Sequence, residues 1–211
     1  MCIIDMRGVS TMSMVVGVCS TNFCSLIADT RRIGYTEDDK PFCKDDHTSK
    51  IFKINDRVLF GAAGRFRTNE TLTAPIDPFV DKSAISLRTA YKAVVEYIEK
   101  HRSEIYLPRN YLVGGKDNKG RYCVYEVHYD GLGEITTTLR MPEPPQSNFG
   151  ISCCIPNGVV GYKKLIMNLL NNSVLNAKDH KDMIERVSDV IYKVADHDAS
   201  VNKNIEVLTI T

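Results

Sequence analysis

The sequence predicts an α+β fold in which helices pack on antiparallel sheets. Three observations carry that expectation. Short apolar runs broken by turn formers open the chain, return in its middle and close it. Stretches with apolar residues at helical spacing fall between them. The order reads strands, helix, strands, two helices, strand, without a repeat or a linker long enough to divide it.

The elements follow in order. Met14 to Cys19 and Phe23 to Ala28 are apolar runs around the turn formers Ser20, Thr21 and Asn22, the pattern of a β-hairpin. Asp29 to Ser49 is a polar stretch with the charge cluster Glu37-Asp38-Asp39-Lys40. Ile51 to Ile54 and Val58 to Ala63 repeat the hairpin pattern around Asn55-Asp56. Arg65 to Lys82 carries Pro75 and Pro78 and reads as a loop or a short broken helix. Ser83 is placed to cap a helix from Ala84 to about Arg102, with Leu87, Tyr91, Val94 and Ile98 on one face. Strand patterns return at Tyr111 to Gly114, Tyr122 to Tyr129, Ile135 to Leu139 and Phe149 to Cys154. Val159, Tyr162, Leu165, Ile166, Leu169 and Leu170 form the stripe of a second helix. Met183, Val187, Val190, Ile191 and Val194 form that of a third. Ile205 to Thr211 is a closing strand.

Composition narrows the function classes. The chain has 211 residues, 43% hydrophobic and 25% charged, which excludes disordered and low-complexity proteins. With 27 Lys+Arg against 26 Asp+Glu, the formal net charge is +1, so no electrostatic footprint for nucleic acid or a membrane surface exists. No run approaches the ~18 apolar residues of a membrane span. The 7 cysteines lack metal-type spacing, and buried free thiols in a cytoplasmic protein are expected, with no metal or cofactor. The five histidines are scattered, and His180 and His197 are expected as solvated ends of the last helix. Taken singly, Gly61-Ala62-Ala63-Gly64 is a tight turn, Asp29-Thr30-Arg31-Arg32 a strand-end salt bridge and Lys50 a surface residue.

Their order is more specific than the parts. Ser13, an apolar hairpin, Ala28-Asp29-Thr30-Arg31, Lys50-Ile51-Phe52-Lys53-Ile54 and Ala63-Gly64 succeed one another as in proteasome β-type subunits and the HslV peptidase. From about Met12 to Thr211 the chain resembles this branch of the N-terminal nucleophile (Ntn) hydrolases. The family spacing counted back from Asp29 lands on Ser13, and Asp198-Ala199-Ser200 before the last strand looks like the family's closing motif. The resemblance implies a four-layer αββα sandwich of two antiparallel sheets flanked by helices. It implies Ser13 as nucleophile, Lys50 as the cation beside it, Asp29 holding Lys50, Gly64 as oxyanion donor and Asp198 orienting the terminal amine. Peptide or other amide substrates and homo-oligomers, rings in the family, follow from the same likeness. An ATP-dependent unfoldase partner follows by analogy alone. Two places depart from the pattern. The family's Gly-Ser-Gly turn before the third helix falls near Gly150-Ile151-Ser152, and a frequent serine after the final Asp falls on Val201.

The mechanism needs a free α-amine on Ser13, because the side-chain oxygen attacks while its own amine serves as base. Met12 precedes Ser13. Residues 1–12 are therefore read as an extension, a propeptide or an early start with translation beginning at Met12, and 13–211 as one Ntn-hydrolase-like domain. The alternatives are a catalytically inactive proteasome-like scaffold and an amidohydrolase using Cys2 after loss of Met1.

Overall fold

The computed structural model describes residues 13–35, 41–64, 66, 71–105, 108–144, 146–155 and 162–211. The extension 1–12, and Cys2 with it, lies outside them.

A four-stranded antiparallel sheet has the order β10 (Phe149–Cys154), β1 (Val15–Ser20), β2 (Cys24–Asp29), β11 (Ile205–Ile210). A five-stranded antiparallel sheet runs β5 (Ile51–Asn55), β6 (Val58–Gly64), β7 (Arg109–Lys116), β8 (Tyr122–Tyr129), β9 (Ile135–Arg140). Helix α1 (Leu87–Lys100) covers the outer face of the second sheet, and α2 (Tyr162–Leu175) and α3 (His180–Ala195) cover the outer face of the first. This is the expected four-layer αββα sandwich.

Strand alternation explains the apolar runs. Val16, Val18 and Ile27 face α2 and α3, whereas Val15, Cys19, Leu26 and Ala28 face the opposite sheet. Phe60, Ala62, Tyr111 and Val113 face α1, whereas Leu59, Ala63 and Leu112 face inward. A strand covered on both sides has no polar face to keep, so both halves of its period-two pattern are apolar. The sheets approach closely at Gly17, where a Cβ would stand 2.9 Å from a Val124 methyl. Only a hydrogen fits there.

Several expectations are corrected. Residues read as a polar stretch contain a hairpin, β3 (Arg32–Tyr35) and β4 (Pro41–Asp45), in a separate two-stranded sheet. Helix α1 begins at Leu87 rather than Ala84, with Ser86 as its cap accepting from Thr89 N–H at 3.1 Å. Ser83 cannot cap it, because its N–H and Oγ both donate to Asp81 in the 3-10 turn Lys82–Ala84. In α2, Ile166, Leu170 and Val174 are buried but Leu165 is 54% exposed. Val159 lies outside the described residues. Gly61–Gly64 forms the end of β6 rather than a tight turn. Cys43 is exposed, while Cys19, Cys24, Cys123, Cys153 and Cys154 are buried free thiols. Burial pushes Cys19 up to about 12 and Cys123 up to about 11. His197 is exposed as expected. His180 is half-buried against the Phe23 ring at 4.2 Å, its Nε2 2.9 Å from Ser25 Oγ, and burial lowers its pKa.

Candidate active site

Strand register gathers the candidate residues at one end of the sandwich. The start of β1 lies beside the end of β2, the start of β11 and the end of β10. The start of β5 lies beside the end of β6 and the start of β7. Ser13, Asp29, Lys50, Gly64 and Asp198 all sit on these ends or on the segments entering them.

The centre is a buried ion pair. Lys50 Nζ donates to Asp29 Oδ2 at 2.7 Å, with side chains 3% and 0% exposed. Lys50 is thus no surface residue. Burial pulls its pKa down to about 8, against the opposing attraction of Asp29. The carboxylate accepts two further bonds: Oδ2 from Arg31 N–H at 3.0 Å and Oδ1 from Met14 N–H at 2.8 Å. Asp29 therefore fastens the residue after Ser13 to the residue that holds the cation. Ser13 is half-buried, and its Oγ donates a long 3.4 Å bond to the Arg31 carbonyl.

Gly64 closes β6 opposite Arg109 with φ +135°, and a Cβ there would stand 2.8 Å from the Pro108 carbonyl oxygen. Any other residue would be strained and would also clash. Asp198 is half-buried, its Oδ1 accepting from Ser200 N–H at 2.8 Å and Ser200 Oγ at 2.6 Å. Its neighbour Ala199 presents a carbonyl to Arg31 Nη1 at 3.1 Å. Burial, with the Asp198 carboxylate nearby, raises the phenol of Tyr162 at the start of α2. Direct contacts thus join Lys50 to Asp29 and Asp29 to the backbone of Met14 and Arg31, Ser13 bonds to the Arg31 carbonyl, and Gly64 and Asp198 share the same end of the sandwich.

The departures from the family pattern take a different form in three dimensions. Gly150-Ile151-Ser152 is no turn. It lies within β10 opposite Cys19, Val18 and Gly17, with the Ser152 hydroxyl donating to Glu126. Val15 pairs with Cys154 at the end of β10, and residues 156–161 lie outside those described. Val201 is buried against the α2 and α3 side, and Ser200 supplies a hydroxyl to Asp198 instead.

A polar clamp around Ser13 escaped the sequence reading. Arg31 holds Asp46 through Nε–Oδ1 at 2.6 Å and Nη2–Oδ2 at 3.2 Å, which pulls the Asp46 carboxyl down to about 2. Asn202 donates to Asp46 Oδ1 at 3.1 Å and accepts from Thr30 N–H at 3.1 Å. Three segments distant in sequence meet there. The only available signal was Arg31 itself, two residues beyond Asp29. A cavity of about 320 Å³ lined by Leu139, Met141, Phe149 and Met167 opens at the opposite end of the sandwich.

Among the described residues no cluster of three or more His, Cys, Asp or Glu could hold a metal, and no helix is long and apolar enough to cross a membrane. No protein-family model matches the sequence, and no curated protein matches it. Among solved structures, the crystal structure of eukaryotic HslV from Trypanosoma brucei is similar over 93% of this chain and 98% of that one. The TM-score is 0.56 and the identity 17%. That likeness, with the layers described above, shows the Ntn-hydrolase, proteasome-subunit type of fold.

Proposed function

We propose that this chain is a proteasome- or HslV-like Ntn hydrolase that cleaves peptide or other amide bonds through Ser13 once its α-amine is free. The observation that carries the reading is the buried Lys50–Asp29 pair bonded to the backbone beside Ser13. A structural salt bridge is weak reason to bury two charges, whereas a cation beside a hydroxyl is what an alkoxide requires.

In the proposed reaction the neutral α-amine of Ser13 takes the Oγ proton as Oγ bonds to the substrate carbonyl carbon. The carbonyl π pair moves to oxygen, and the Gly64 N–H stabilises that oxyanion. Collapse breaks the C–N bond, and the α-ammonium gives its proton to the departing amine. Water then attacks the Ser13 ester carbon, losing its proton to the same amine; collapse breaks the C–Oγ bond, the ammonium returns the proton to Oγ, and the acid is released. Lys50 disfavours protonation of the amine and stabilises developing charge on Oγ. Asp29 keeps Lys50 in place, and Asp198 orients the amine.

The reading includes residues 1–12 as a removable extension of a 13–211 domain, a cytoplasmic location and a homo-oligomeric assembly. An ATP-dependent unfoldase partner rests on analogy with HslV alone. The inactive scaffold is the second reading, favoured by Val201 occupying a core position where the family has a serine. Intact mass of protein from the native gene, before and after a β-lactone acylating probe, decides between them. The expected result is a chain starting at Ser13 whose single adduct disappears in Ser13→Ala. An unlabelled chain with a verified free Ser13 supports the scaffold, and an adduct on Cys2 supports the Cys2 alternative.

A further inference from the structure

We propose that the free edge of β9, with the cavity at its far end, is a strand-addition site that holds an extended, apolar segment of the substrate polypeptide. This rests on the reading of a polypeptide as the substrate, and it gives that chain a second contact away from Ser13.

A sheet edge invites another strand unless something blunts it. Among the described residues, the two large sheets present four edges. β5 carries Lys53 and a register shift between Lys53 and Asn55. β10 is sealed over Ser152, Cys153 and Cys154, and β11 is half-buried over residues 205–209. β9 has none of these devices. Its register against β8 is unbroken, and its sequence Ile-Thr-Thr-Thr-Leu-Arg lacks proline, glycine and lysine. Thr136, Thr137, Leu139 and Arg140 are exposed. The β-branched Ile135 and Thr136 to Thr138 favour the extended state even without a neighbour on that side.

Backbone groups reach that edge at regular intervals. Asp130 N–H donates to the Glu134 carbonyl where the β8–β9 turn closes. Antiparallel alternation then turns the N–H and C=O of Thr136, Thr138 and Arg140 toward β8, and those of Ile135, Thr137 and Leu139 outward. Only an extended backbone can bond to all three, so the edge takes an unfolded segment. The cavity selects its side chains. About 320 Å³ lies among Leu139, Met141, Phe149, Ile151 and Met167, room for a large apolar side chain. The two methionines adapt to its shape. Arg140 and Glu143 line it with opposite charges, which leaves no net charge to favour an acidic or a basic segment. Register ties the edge to the candidate active site. Ile135 closes the row Gly64, Arg109, Tyr129, Ile135, three strand spacings or about 14 Å from Gly64. From there β9 runs ~20 Å to the cavity. A chain lying on it reaches the end of the sandwich that holds Ser13, and this continuity argues for substrate as the occupant.

The test uses the full chain with Ser13→Ala, so that nothing is cleaved. The probe is a labelled, acetylated and amidated peptide alternating threonine and leucine, with a lysine at each end for solubility. It should bind by fluorescence anisotropy, and N-methylation of its backbone amides should weaken it at least tenfold. Thr137→Pro removes one outward N–H, and Leu139→Lys puts a charge at the mouth of the cavity. Both positions are exposed, so each should weaken the peptide at least tenfold with the melting temperature unchanged. With Ser13 restored and its amine free, Thr137→Pro should raise KM for an unfolded polypeptide and leave hydrolysis of a dipeptide amide unchanged. No binding at about 1 mM peptide, or equal binding of the methylated peptide, overturns the edge site, and neither result depends on an edge variant folding. Self-association that Thr137→Pro abolishes and the peptide competes away assigns the edge to a second copy and overturns it too. Equal losses on polypeptide and dipeptide amide overturn the substrate role. Binding in a chain whose free Ser13 takes no acylating probe ends the substrate role together with the hydrolase reading, whereas labelling without binding ends the edge site alone.

Discussion

Two ion pairs flank Ser13, and their environments could hardly differ more. Lys50–Asp29 is sealed, with side chains 3% and 0% exposed, and its members lie at the end of β2 and immediately before β5. Arg31–Asp46 is open, 26% and 37% exposed, and its members lie just past β2 and just past β4. Salt and water act on the second and scarcely on the first. In the proposed reaction the sealed pair sets the charge near Ser13. The open pair is placed to hold the loop carrying Ala199, next to Asp198, against Ser13.

The largest expected effect is from Lys50→Ala. It strips the buried Asp29 carboxylate of its cation, which should cost about 3–5 kcal/mol of stability by thermal or denaturant melting. Amide hydrolysis should fall at least about 10²–10³-fold. Retained activity in a folded Lys50→Ala protein would end the assignment of Lys50. Next comes the pH profile. With Lys50 titrating at about 8, activity should decline as pH rises through that value and the cation is lost. Asp29→Asn removes an attraction that raises the Lys50 pKa, so the decline should move to lower pH, whereas Lys50→Arg, whose guanidinium stays protonated across the range, should abolish it. A decline that stays put in both variants belongs to another group.

Asp46→Ala should lower activity only several-fold and stability by no more than about 1 kcal/mol. Raising the salt concentration should reproduce part of that loss in the unaltered protein. A loss as large as that of Lys50→Ala would erase the distinction between the two pairs. The smallest change in activity is expected from Val201→Ser. It places a hydroxyl in the α2–α3 core and should cost about 1–3 kcal/mol without raising turnover, because Ser200 already donates to Asp198. A several-fold gain would show that position 201 belongs to the site.

The same contrast between sealed and open governs how much could be read from the sequence. β1, β2, β8, β10 and the face of α3 were legible because burial is written in apolar periodicity. The β3–β4 hairpin was not, for it belongs to neither large sheet and its sequence keeps no uniform apolar face. The stripe of α2 was misread at Leu165 because that helix is apolar on more than one side, so periodicity alone could not tell core from surface. At the site, Asp29 and Lys50 were found through the order of motifs along the chain, not through any local signature. Asp46 and Asn202 were missed because polar contacts between remote segments leave no pattern in either segment.

The bond from Met14 N–H to Asp29 bears on how the protein could be switched on. The Lys50–Asp29 pair and the register of β1 are complete in a chain that still carries Met12 ahead of Ser13. Removing the extension would therefore expose an amine without having to build anything around it. On the proposed reading such latency would be chemical rather than conformational. The appearance of activity should follow the trimming of the N-terminus with no lag for refolding, and an untrimmed chain should be silent while melting at nearly the same temperature.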